Sequence, residues 1–259
     1  MKKIEGGLRL KGTYKKDLKN KPLISVLTTN LDSKYLENTI KSVKKLKYNN
    51  IEYIIVDGGS KNKSLKILRK YNNFIDYWVS EKDSGIWNAY NKAYKLCKGR
   101  YVGILPADDI FYPNAINYLV KYINSYPKAD FFAGAVKKKK IYAGFNKNNI
   151  RYKFNLLPSF AIGFFIKRKS LMKVGLFNEK YKYCADYDLL YRMIVRHKLI
   201  GIPTKHSEVF GRFKLGGYSS KAGFLKLLYW ELKVRFDNNQ NIFWLLFIFF
   251  GRLYKKIFY

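Results

Sequence analysis

Tyr101-Val-Gly-Ile-Leu-Pro-Ala-Asp108-Asp109-Ile110 is the stretch on which the reading of this chain turns, because an apolar run, Tyr101 to Leu105, leads straight into two adjacent carboxylates. The formal net charge is +33, from 51 Lys and Arg against 18 Asp and Glu, so acids are scarce and two side by side call for a cause. In an open α/β sheet, ligands bind outside the carboxyl ends of the strands. Hard oxygen ligands at such an edge suit Mg²⁺ or Mn²⁺ carrying phosphates. The pair equally suits a helix N-cap, with Asp108 or Asp109 capping the segment Tyr112 to Tyr122. These residues alone leave both readings open.

Working outward, the same strand, polar turn and helix unit recurs. Leu23 to Thr28 is a β-forming apolar run, followed by the turn Thr29 to Asp32 and a helix with Leu36, Ile40, Val43 and Leu46 on one face. Tyr53 to Val56 is followed by Asp57-Gly58-Gly59-Ser60 and a helix lined by Leu65, Leu68 and Tyr71. Asp76 to Ser80 leads through Glu81 to Ser84 into a helix whose inward positions are Ile86, Ala89 or Tyr90, Ala93 and Leu96. Strands alternating with helices of this size predict a right-handed parallel sheet. Thr29, Asp57, Asp83 and the Asp108–Asp109 pair each follow directly on a strand, so such a sheet carries all of them to one edge. Asp57 to Ser60 alone reads as well as an ordinary capped turn; the four together read as a nucleoside-diphosphate site.

Five stretches in order resemble the family 2 glycosyltransferases of GT-A fold, in their bacterial surface-polysaccharide form. They are Pro22-Leu-Ile-Ser-Val-Leu-Thr-Thr-Asn, Ile54-Ile-Val-Asp-Gly-Gly-Ser, Ser80-Glu-Lys-Asp-Ser-Gly-Ile-Trp-Asn-Ala-Tyr-Asn-Lys, Leu105-Pro-Ala-Asp-Asp and Ala185-Asp-Tyr-Asp-Leu-Leu-Tyr-Arg. The resemblance runs from about Gly6 to Ser220. It implies an α/β fold: a GT-A (Rossmann-like), mostly parallel central sheet flanked by helices. It also implies a nucleotide-sugar donor, UDP-linked, and Mn²⁺ or Mg²⁺ as cofactor. Thr29, Asp57, Ser60 and Asp83 are then expected at the base and ribose, with Asp109 as metal ligand and Asp108 as its support and donor contact. Gly85 would let backbone approach the donor, and Asn88, Asn91 and Lys92 would favour phosphate from the first turns of a helix; for an arbitrary helix, Asn91 and Lys92 would be a solvated face. Asp186 stands in the place of the family's catalytic Asp, where inverting transfer needs one base near the acceptor hydroxyl. Ala185 replaces the family's preceding Glu. Taken alone, Asp186 also suits an N-cap, and Asp188 with Arg192 suits an i, i+4 pair on the opposite side. Ala161-Ile162 stands where related bacterial enzymes carry His-Gln. Arg212 and Gly216-Gly-Tyr-Ser-Ser resemble the loop that closes over the diphosphate.

The chain divides by composition into a basic arm (1–21), a GT-A domain (22–220) and a basic, aromatic, amphipathic C-terminal helical tail (221–259). The arm carries eight Lys or Arg and two acids without periodicity and reads as extended. Lys137 to Lys153 carries seven basic residues and no acid, a solvated loop or a guide for a polyanion. Ile242 to Phe250 gives nine unbroken apolar residues, flanked by Arg252, Lys255 and Lys256. A bilayer span takes about 20 residues, so the tail is expected on an anionic membrane surface or against a second subunit, a possible homodimer. Cys97 and Cys184 form no CxxC pair, and His197 and His206 match no motif, which argues against zinc or a disulfide framework. The first residues lack a signal-peptide core, so the expected location is cytoplasmic, peripheral on the inner face of the cell membrane. The expected acceptor is a lipid-linked or surface-glycan precursor. Charge alone also fits nucleic-acid binding, but the basic residues spread through arm, loop and tail without a recognition motif, so no nucleic acid is expected. A non-catalytic partner subunit of the same fold is the other alternative.

Overall fold

The structure, a computed structural model, describes residues 3–152, 156–217 and 222–258. In chain order, the strands of the main sheet are β1 (Ile4–Gly6), β2 (Ile24–Asn30), β3 (Ile51–Asp57), β4 (Tyr77–Ser80), β5 (Tyr101–Ile104), β7 (Phe131–Ala133), β10 (Phe164–Lys167) and β11 (Gly201–Pro203). They lie in the order β1-β4-β3-β2-β5-β10-β7-β11. The four central strands β4, β3, β2 and β5 are parallel, while β1 and β10 run antiparallel to their neighbours.

The central strands read as unbroken apolar runs because both their faces are covered. Alternation sends Leu27, Ile54, Val56 and Ile104 into one core and Val26, Tyr53 and Ile55 into the other. Helices α1 (Leu36–Lys44), α2 (Ser64–Lys70) and α4 (Ala115–Ser125) supply the second core. Helices α3 (Ile86–Leu96), α5 (Arg168–Val174) and α6 (Ala185–Tyr191) supply the first. The layers are helix, sheet, helix.

A second, smaller sheet joins β6 (Ile110–Phe111), β12 (Val209–Arg212), β8 (Ala135–Lys137) and β9 (Ile141–Tyr142), in that order. The chain from Phe131 to Lys137 divides at Gly134, with β7 in the large sheet and β8 in the small one. A Cβ at Gly134 would collide with the Phe210 ring, so glycine permits the close crossing. Because β6 begins directly after Asp109 and α4 starts behind Asn114, neither Asp108 nor Asp109 caps a helix.

The arm differs from its expected extended form. β1 adds an antiparallel edge to β4, Arg9 makes a buried ion pair with Glu52 and donates to the Leu96 carbonyl (2.8 Å), and Lys15 pairs with Asp76 (2.8 Å). Three strand residues are too few to register as periodicity, and the partners lie far along the chain. At the other end, α7 (Phe224–Asp237) and α8 (Ile242–Phe258) form the helical tail. Leu228, Val234, Leu245 and Ile248 are its buried apolar side chains.

Candidate active site

A cleft of about 650 Å³ opens at the junction of the two sheets. Asp108 and Asp109 line it from the link between β5 and β6. Asp186 lines it from α6, and Trp87 from the first turn of α3. Lys138 and Lys214 line it from the ends of β8 and β12.

Asp109 is 1% exposed. Its Oδ1 accepts the backbone N–H of Lys214 (2.7 Å), whereas Oδ2 is buried without a hydrogen-bond partner among the described residues. Burial, with the neighbouring Asp108 charge adding to it, pushes the carboxyl up to about 7 against the pull of the Lys214 N–H. Asp186 follows Cys184, a non-glycine residue in the left-handed region (φ 67°) that turns the chain into α6. Asp186 keeps some exposure through the cleft, and its deep setting pushes its carboxyl above the usual range; the Tyr187 N–H (2.9 Å) works the other way. Asp188, one helical face away, is buried and holds Arg192 (2.9 Å) and Asn238 (2.9 Å). One of the two acids faces the cleft and the other locks the helix. Lys138 is half-buried over the Tyr142 and Phe213 rings (5.3 and 5.0 Å) and makes no ion pair among the described residues. Burial lowers its pKa.

Other expected site residues have different tasks. Asp57 is fully buried, and its carboxylate accepts hydrogen bonds from Asn30 (2.6 Å), Ser80 (2.6 Å), the Ser60 backbone N–H (2.9 Å) and the Ser60 hydroxyl. Asp57 and Ser60 therefore brace the loop rather than face a ribose. Thr29 is partly exposed and meets the Tyr90 hydroxyl. Asp83 is half-buried against Gly58, where a Cβ would strike its carboxylate, and accepts the Gly85 N–H (3.0 Å). Burial raises its pKa. Gly85 has φ 133° and open space beside it, so its backbone is exposed.

The polar face of α3 is a correction to the phosphate-binding expectation. Asn91 is buried, donating to the Phe177 carbonyl (2.9 Å) and Glu179 (2.7 Å) and accepting the Phe177 N–H (3.0 Å). Asn88 also donates to Glu179 (3.0 Å), and Lys92 pairs with Glu81 (2.7 Å). Asn88 and Asn91 fasten α3 to the Phe177–Glu179 segment because a sequence-distant acid, Glu179, lies within their reach, while Lys92 ties it to Glu81. Arg212 is exposed at the end of β12 and does not line the cleft; Phe213 to Gly217 do. Tyr218 to Ser220 of the expected closing loop lie outside the described residues. Ala161 lines the cleft and Ile162 is buried, so the wall there is apolar. Glu179 and Lys138, the latter one of four consecutive lysines, carry no motif that marks them in the sequence. The signal for Glu179 was an acid in a chain that has few.

The profile described as glycosyl transferase family 2 matches residues 24–181. The chain belongs to that family. A family relative, an uncharacterized glycosyltransferase of Rickettsia typhi, is 31% identical over 188 residues, 67% of this chain and 59% of the relative. The family 2 chain thus spans about three-fifths of that protein's length. Among solved structures, S. aureus TarS in complex with UDP-GlcNAc superposes with a TM-score of 0.66 at 17% identity, covering 82% of this chain and 65% of TarS. The mannosyltransferase PcManGT from Pyrobaculum calidifontis, in complex with GDP-Man and Mn²⁺, superposes at 0.64 with 15% identity, covering 90% and 69%. These similarities establish the GT-A fold. No group of three or more His, Cys, Asp or Glu arranged for a metal occurs among the described residues.

Proposed function

We propose that this chain transfers a sugar from a nucleoside-diphosphate donor, UDP-linked, to a hydroxyl of a lipid-linked or surface-glycan precursor, with inversion at the anomeric carbon. One observation carries the reading: Asp186 lines the same cleft as the Asp108–Asp109 pair but arrives from a different element. Two functions that must act on opposite ends of one bond, base and leaving-group support, thereby have separate side chains.

The donor's base and ribose would lie along the strand edge near Thr29 and Asp83, and its diphosphate between Asp108, Asp109 and Lys138. Asp186, whose burial raises its proton affinity, takes the proton of the acceptor hydroxyl as that oxygen attacks the anomeric carbon. The bonding pair of the anomeric C–O bond departs with the diphosphate. Lys138 offers a positive charge against the departing oxygens. The carboxylates suit Mn²⁺ or Mg²⁺, since Oδ2 of Asp109 is buried and unpartnered beside a second hard oxygen ligand, with donor phosphates and water completing the shell. Such an ion would neutralise charge on the leaving diphosphate. The UDP-GlcNAc and GDP-Man complexes of TarS and PcManGT favour a nucleotide-sugar donor.

The test is nucleoside-diphosphate release from UDP-glucose, UDP-GlcNAc and GDP-mannose with Mn²⁺, in wild type and Asp186→Ala. Wild type is expected to turn over at least one donor, and Asp186→Ala to lose roughly 10²–10⁴ of that rate while still binding the nucleotide. Equal turnover in both proteins removes Asp186 from the base role. Wild type that neither binds nor cleaves any of these donors removes the donor assignment.

A further inference from the structure

We infer that α7 and α8 seat this chain on an anionic lipid surface, with the outer face of α8 lying in the plane of the membrane interface. Phe243 (76% exposed), Phe247 (66%), Phe250 (62%), Tyr254 (58%) and Ile257 (72%) recur along α8 at alternating steps of four and three residues. Such spacing draws one stripe down a helix. From Phe243 to Ile257 the stripe runs roughly 21 Å along this helix. Leu225 (71%), Tyr229 (59%) and Phe236 (65%) add exposed apolar side chains on α7. An exposed apolar area on this scale marks an interaction surface.

The occupant follows from charge and from the helix itself. No helix among the described residues is long and apolar enough to cross a membrane, and a helix rich in aromatics with basic residues at its end lies in the interface. Lys226, Lys255 and Lys256 are exposed, and α8 carries no acid. The acids of α7 are engaged: Glu231 by Arg235 and Arg252, Asp237 by Lys180 and Lys233. A second copy would bring another +33 charge against this one, which repels at long range, whereas an anionic leaflet attracts it.

The seat is tied to the cleft. Arg252 of α8 reaches Glu231 (3.2 Å), Glu231 holds the fully buried Arg235 (2.9 Å), and the Arg235 guanidinium lies 4.5 Å from the ring centre of Tyr187. Tyr187 is the neighbour of Asp186, so docking α8 fixes the orientation of the base-bearing helix relative to the lipid plane.

The test is co-sedimentation of the full chain with vesicles of phosphatidylcholine alone or mixed with phosphatidylglycerol. Wild type is expected to bind the mixed vesicles, less so as salt rises, and to bind phosphatidylcholine weakly. Phe247→Ser with Phe250→Ser, both solvent-exposed, should lower the partition coefficient roughly a hundredfold with an unchanged circular dichroism spectrum. Lys255→Glu with Lys256→Glu should lower it on the anionic vesicles. Wild type that stays in the supernatant with anionic vesicles at low salt overturns the inference. So does a dimer that Phe247→Ser/Phe250→Ser dissociates while vesicle binding is unaffected, which would assign the face to a second copy.

Discussion

Replacing Asp109 by Asn converts the electrostatics of the cleft into a measurable stability. Burial raises this carboxyl to about 7, against about 4 for an unperturbed Asp. The raised value means that the folded chain favours the protonated form. The associated stability is therefore fully present below about pH 4 and is lost as the pH rises through about 7. Three units correspond to about 4 kcal/mol lost across that window in metal-free protein. In Asp109→Asn the side-chain oxygen still accepts from the Lys214 N–H, but the amide NH₂ occupies the place of the unpartnered Oδ2. An unsatisfied donor there costs about 1–3 kcal/mol. The variant is thus expected to exceed wild type by roughly 1–3 kcal/mol at pH 8 and to fall to or below it near pH 4. Urea denaturation in EDTA across this range measures the difference. A difference that does not change with pH, or one that grows toward acid, would refute the placement of Asp109 as a buried ionisable group. Added Mn²⁺ should raise the stability of wild type more than that of the variant at pH 8, because a ligand held by the folded state alone stabilises it.

Lys138→Met should weaken UDP binding by roughly ten- to a hundredfold in calorimetry through loss of a charge-assisted contact, and Lys138→Arg should restore most of it; unchanged affinity takes Lys138 away from the diphosphate. Asn91→Ala should lower stability by about 2–4 kcal/mol, as it strands the Phe177 backbone groups and one oxygen of Glu179; a loss under 0.5 kcal/mol, roughly the scale of a surface change, would mean that this buried tie is not made. Arg235→Met should cost about 3 kcal/mol, the low end for breaking a buried pair, because Arg252 still reaches Glu231. Adding Glu231→Leu should recover much of that loss.

Most of the central fold was legible because short unbroken apolar runs alternate with period-3.6 amphipathic stretches from Leu23 to Leu105, and each pattern reports its own burial. The parts that were not legible depend on long-range partners. β1 owes its place to an unfilled edge on β4, and Arg9 to Glu52, some forty residues away. The small sheet was hidden because its strands have two to four residues each, too few to express a period. The exposed stripe of α8 was legible only as composition. Which side faces outward is decided by Leu245 and Ile248, whose packing partners are elsewhere in the chain.

Within the cleft, position along a strand was readable but side-chain direction was not, and the distinction explains each reassignment. Topology brings Thr29 and Asp57 to the same sheet edge, as the pairing Thr29 with Val56 and Asn30 with Asp57 requires. Along a strand, however, successive side chains take opposite faces. Thr29 and Val56 share the face covered by α3, where Tyr90 lies, while Asn30 and Asp57 share the face of Ser60 and Ser64. Asp57 is one residue out of phase with the cleft, and its charge is spent on aligning the loop that carries Gly58 against Asp83. The same logic separates Asp186 from Asp188 on α6. A sheet edge collects polar residues, and the alternation of each element decides which of them meet a ligand and which hold those that do.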